Sequence, residues 1–119
     1  MMGRPQMAIV SGMALIACAS AAGAASYTGR KLLDALNDSV PAVRTFAEGY
    51  TFGIADSMQE AYPVFGLFRA CIPAGTGPAQ LATIVRETLQ REEGYLHNAA
   101  GFLVAKALAD AFPCQSSLR

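Results

Sequence analysis

The chain has 119 residues, enough for one small domain, and its nine basic residues balance nine acidic ones. No basic stripe points to nucleic acid, and no run of like charge makes a solvated tail. The apolar share of 53% is inflated by the N-terminal segment, so the remainder is less apolar than the total implies.

Residues 1–24 do not read as part of the domain. "MMGRPQ" carries one arginine and no acid, and the small, apolar run "MAIVSGMALIACASAAGA" follows. It ends in Ala22-Gly23-Ala24, an A-x-A pattern that a signal peptidase can cut. A spanning helix needs about 20 strongly apolar residues, and this run is diluted by Ala, Ser and Gly. A removed signal peptide and a domain over 25–119 are expected. In the alternative, "LIAC" (15–18) resembles a bacterial lipobox, and Cys18 becomes the lipidated first residue. Removing the segment takes away Arg4 and leaves eight basic residues against nine acidic. Cys71 and Cys114 then remain as an even pair in an exported chain, which suggests a disulfide, with a free buried pair as the alternative. Such a bond would close a loop of about 43 residues and stabilise by roughly 4 kcal/mol in the chain-entropy picture.

The first predicted element lies in "YTGRKLLDALND". Leu32, Leu33 and Leu36 share a helical face, Thr28 can cap its start, and Asn37 to Ser39 can end it. A second helix starts near Pro41, with Val43, Phe46, Ala47, Tyr50, Ile54, Met58 and Ala61 recurring at helical spacing. Gly49 and Gly53 lie four apart within it. Glycine costs roughly 1 kcal/mol against alanine inside a helix, and close approach of a neighbouring helix is the expected reason for the pair. "YPVFGLFRACIPAGTG" cannot be one regular helix, because it holds two prolines and three glycines. Its Tyr62, Phe65, Phe68 and Arg69 either cover the core or form a protruding binding loop. A third helix opens at "TGPAQL", with Thr76 or Gly77 as cap, Pro78 in the first turn and Gln80 as capping-box partner. Leu81, Ile84, Val85 and Leu89 form its stripe, and Glu87 and Arg91 are spaced for an ion pair. After a turn at Gly94, a fourth helix is predicted from about Tyr95 to Phe112, ending at Pro113. No segment alternates like a strand, so an all-α bundle of about four helices is expected.

The residues argue against an enzyme. His97 is the only histidine, it lies off the apolar stripe, and nothing at metal-ligand spacing accompanies it. No nucleophile elbow, P-loop or dinucleotide fingerprint is present, so neither cofactor nor metal is expected. Asp56 and Glu60 share a helix face, a spacing far commoner among solvated acids than among acid–base pairs. The residues point toward binding instead.

The set "TGRKLL", "YTFGIAD", "CIPAGTGPAQLATIVRETL", "LHNAAGFLVAKAL" and "AFPC", in this order over most of 25–119, resembles the Rap/Tai family of immunity proteins. These protect bacteria from peptidoglycan amidases delivered by type VI secretion. The resemblance implies an all-helical periplasmic protein with a disulfide at Cys71 and Cys114. It also implies a protein, often a homodimer, that inhibits an amidase effector by occluding its cleft. Phe65, Phe68 and Arg69, just before Cys71, are the candidate partner-binding loop. The sequence departs from many relatives at Ala35 and Ala47, where further cysteines stand, and at Glu93, where proline is common. The alternatives are a periplasmic helical chaperone and a lipid-anchored adaptor. In all of these readings the membrane is reached only through the signal peptide or the anchor.

Overall fold

The computed structural model describes residues 27–60 and 68–115, together with Gly3. The signal peptide, the lipobox with Cys18, and Phe65 lie outside the described residues. Four helices follow one another: α1 (Gly29–Leu36), α2 (Pro41–Glu60), α3 (Pro78–Arg91) and α4 (Ala100–Ala111), with a 3-10 turn at Glu93–Tyr95 before α4. The fold is all-α, as expected. Among the described residues, the nearest thing to a sheet is an isolated antiparallel bridge between Thr28 and Ala99.

That bridge shows how α1 begins. The first N–H groups of a helix have no intrahelical partner and must find one elsewhere. Thr28 caps α1 as its side chain predicts: its hydroxyl accepts from the Lys31 N–H at 3.3 Å. The Gly29 and Arg30 N–H groups donate to the Asn98 and Leu96 carbonyls, both at 2.9 Å, and the Ala100 N–H returns a bond to the Tyr27 carbonyl at 2.7 Å. The chain between α3 and α4 thus serves as the cap of α1. This is also why α4 starts at Ala100 and not at Tyr95. The Leu96 and Asn98 carbonyls point to α1, and Ala99 is extended at φ −58° and ψ 133°. A Cβ on Gly29 would collide with Leu103 Cδ1 and press to 3.3 Å on the Leu96 carbonyl, so the glycine lets α1 seat here.

A tight link leads to α2. Asp38 accepts from the Val40 N–H at 2.7 Å, and the Arg44 guanidinium donates to the Asp38 and Ser39 carbonyls. The core is built from Leu32 and Leu36 of α1, Leu81, Val85 and Leu89 of α3, and Val104 and Leu108 of α4, all essentially fully buried. Ala35 and Ala47 are both buried in it. Glu87 and Arg91 do not pair; Arg91 reaches the Thr88 hydroxyl instead.

α2 meets the core with most of its expected face: Ala47 and Met58 are buried, and Val43, Tyr50 and Ile54 pack against the core. Its buried stripe is Ala47, Thr51, Ala55 and Met58, three of them small. Small residues four apart let the other helices approach closely. Thr51 is fully buried, and its hydroxyl donates to the Ala47 carbonyl at 3.0 Å, so no polar atom is stranded. At about 100° per residue, Gly49 and Gly53 lie on the opposite side of the helix. Nothing comes within 4 Å of a Cβ placed on either. The close-approach role assigned to the glycines belongs to the alanine and threonine stripe. Phe46, expected on the core face, is 60% exposed and meets the Tyr27 ring at right angles, with centroids 5.9 Å apart.

These two glycines make α2 weaker than it need be. Gly49→Ala and Gly53→Ala are each expected to raise stability by up to about 1 kcal/mol. A denaturant midpoint that stays or falls would show that the positions are not open as described.

Candidate functional site

The chain from residue 68 to the start of α3 is held by three fastenings. Cys71 and Cys114 form the disulfide, with Cα atoms 5.0 Å apart and a sequence separation of 43. Beside it the Cys71 N–H donates to the Phe112 carbonyl at 2.8 Å, at the frayed end of α4. One residue earlier, the Gln59 side-chain amide of α2 donates to the Ala70 carbonyl at 3.0 Å. The following turn is closed by Thr76, whose N–H and hydroxyl both donate to the Pro73 carbonyl. Gly75 sits within that turn at φ +84°, a conformation that favours glycine. Gly77 then caps α3, and its N–H donates to Gln80 Oε1 at 3.1 Å. With no side chain on Gly77, only this half of the expected capping box exists. Residues 68–77 therefore form a ridge tied to α2 on one side and to the end of α4 on the other.

Concave surface flanks the ridge. On the α4 side a cavity of about 350 Å³ is lined by Phe68, Tyr95, Phe102 and Leu103, with Glu92 and Lys106 at its rim. Phe68 is half-buried and meets Phe102 edge-on, with centroids 5.1 Å apart. Lys106 bridges Glu92 at 3.5 Å and Asp110 at 3.0 Å. The Asp110 hydrogen bond and charge, then the Glu92 charge, hold its ammonium above the ordinary lysine range. On the α2 side a groove of about 330 Å³ runs between Phe52, Asp56 and Gln59 and the chain from Ile72 to Thr76.

Of the predicted loop residues, the structure places Phe68 against Phe102 and leaves Arg69 exposed on the ridge beside Ala70 and Cys71. Asp56 is exposed and lines the groove, and the Glu60 side chain lies outside the described residues. His97 is exposed, and among the described residues no three His, Cys, Asp or Glu side chains gather to hold a metal. Burial holds the Tyr50 and Tyr27 hydroxyls above their usual range, so both stay neutral at physiological pH. Among the described residues, no helix is long and apolar enough to cross a membrane.

The sequence reading missed Gln59, Phe52 and Phe102. Phe102 carried a signal, because it is an aromatic off the apolar stripe of α4 and is 45% exposed. Gln59 carried none, since its partner is a backbone carbonyl eleven residues away.

A family model described as Rap1a immunity proteins matches residues 17–114. No curated protein and no solved structure matches the chain.

Two outcomes test the fastening. Replacing Cys71 and Cys114 together by serine is expected to cost about 2–4 kcal/mol, read by denaturant unfolding. Gln59→Leu removes one donor and is expected to cost about 1 kcal/mol, with faster amide hydrogen exchange confined to the ridge. Uniform exchange in Gln59→Leu would show that the ridge does not depend on the α2 contact.

Proposed function

The chain belongs to the Rap1a immunity protein family, and from that membership we propose that it binds and inhibits a peptidoglycan amidase effector of type VI secretion by occluding the active-site cleft. The single observation that carries this reading is the family match over residues 17–114. The built features agree with it: a ridge tied to two helices, with Arg69 and Phe68 on its surface, is ordered before it meets a partner. Ordering at the moment of binding opposes association, so a preordered ridge binds more tightly for the same contacts. Residues 25–119 act as the mature domain in the periplasm, where the disulfide persists, after removal of 1–24 or lipidation at Cys18.

The partner surface includes Phe65, Phe68 and Arg69 in this reading. Arginine and aromatic residues carry a disproportionate share of interface energy.

The test is inhibition of a purified peptidoglycan amidase encoded beside the gene, with protection of cells that export the amidase to their own periplasm. Stoichiometric inhibition and protection are expected, and neither occurring would reject the reading for that pair. Arg69→Ala is expected to weaken binding by about tenfold or more, with a melting temperature within about 2 °C of wild type, as for surface substitutions. Unchanged affinity removes Arg69 from the interface.

A further inference from the structure

The outward face of α2 is built unlike an ordinary solvated helix face. Thr45, Phe46, Gly49, Phe52, Gly53 and Asp56 are all exposed, and they lie within about a third of a turn of one another at 100° per residue. Across that length Asp56 is the only charged residue of the strip, and Phe46 and Phe52 are 60% and 41% exposed. A surface helix normally turns several charges to water. A bare backbone at two glycines is a place where another chain can approach closely.

At its C-terminal half the strip opens into the groove of about 330 Å³ beside the ridge. Phe52, Ile72, Pro73 and Leu81 give this groove apolar walls, and among the described residues Asp56 is the one charged residue lining it. The other polar side chains there are engaged: the Gln59 amide donates to the Ala70 carbonyl, and the Thr76 hydroxyl to the Pro73 carbonyl. Among the described residues, no cation pairs with the Asp56 carboxylate. A single anion at an apolar-walled groove is complementary to a long basic side chain, whose methylene stem covers apolar surface while its head reaches the carboxylate. The exposed Phe52 ring adds a favourable face for a guanidinium.

We propose that this groove receives a lysine or arginine side chain of the protein partner, with the partner backbone lying against α2 at Gly49 and Gly53 and the basic head pairing with Asp56. The inference rests on the functional reading above, and it places a second contact surface on α2 beside the ridge. A second copy of the chain does not fit as the occupant. A two-fold contact sets the same patch against itself, and this strip carries an anion with no cation to answer it. On the same helix, Arg44 is held by the Asp38 and Ser39 carbonyls.

Two measurements separate the groove from the functional reading. In the first, the folded protein is titrated with n-propylguanidinium chloride and followed by amide NMR shifts, with sodium chloride at equal ionic strength and neutral n-pentanol as references. Saturable shifts at Phe52, Asp56, Ile72 and Ala74 are expected, weakened at least about fivefold by Asp56→Asn. Equal shifts from pentanol, or no loss in Asp56→Asn, would overturn the groove assignment. In the second, the amidase inhibited by wild type is titrated with Asp56→Arg and Gly53→Leu. Each is expected to lose at least about tenfold in affinity, as for truncation or reversal of a desolvated charge pair or a clash at a close contact. Asp34→Arg, which makes the same charge change on the exposed face of α1, should bind as wild type does. Binding of both α2 variants at wild-type strength would sink the proposal. If wild type inhibits no amidase while the guanidinium shifts still depend on Asp56, the functional reading fails and the groove stands.

Discussion

The Cys71–Cys114 bond is the constraint on which the rest depends. It joins the irregular chain before α3 to the residues just after α4, the two places where helical hydrogen bonding has stopped. Left to itself, each such segment gains roughly 1–2 kcal/mol per residue of conformational freedom on release. The bond, the Cys71 N–H to Phe112 carbonyl contact and the Gln59 clamp together remove that freedom from the ridge. With the ridge fixed, the cavity beside Phe102 and the groove beside Phe52 have defined walls. Without it, both would be surfaces on a loop.

The same economy appears at α1. An eight-residue helix is too short to persist alone in water. It is held by Leu32, Leu33 and Leu36 in the core and by the backbone bonds to Leu96 and Asn98 at its N-terminus. Ala35 of α1 and Ala47 of α2 are buried in the core. Packing and the borrowed cap hold the helix, and Gly29 is the residue that allows the approach.

α2 is the helix with two roles. Its inner stripe of Ala47, Thr51 and Ala55 brings the other helices close, and its outer strip of Phe46, Gly49, Phe52 and Gly53 is left bare. Stability alone favours alanine over glycine at the outer positions. The loss of stability there is understandable if the strip meets a partner, because an immunity protein is selected for what it binds.

The residues by themselves determined the helices and the crosslink. Thr28, Pro41 and Pro78 are local start signals that read their own neighbours, and each helix begins where they place it. An even pair of cysteines in a chain read as exported suggested a disulfide over a free buried pair, and Cys71 and Cys114 are bonded. The ordered motifs from "TGRKLL" to "AFPC" carried the family. Tertiary structure decided three things that no local pattern contained. α4 begins five residues later than its periodicity suggests, because the Leu96 and Asn98 carbonyls cap a different helix. Gly49 and Gly53 face water, because the core lies against the Ala47–Thr51–Ala55 side of α2 and the glycines lie opposite it. Asp56 belongs to a groove, because the chain from Ile72 to Thr76, tied down by a bond to residue 114, forms its other wall. Periodicity reports which residues can share a face, and long-range packing selects the face that remains for a partner.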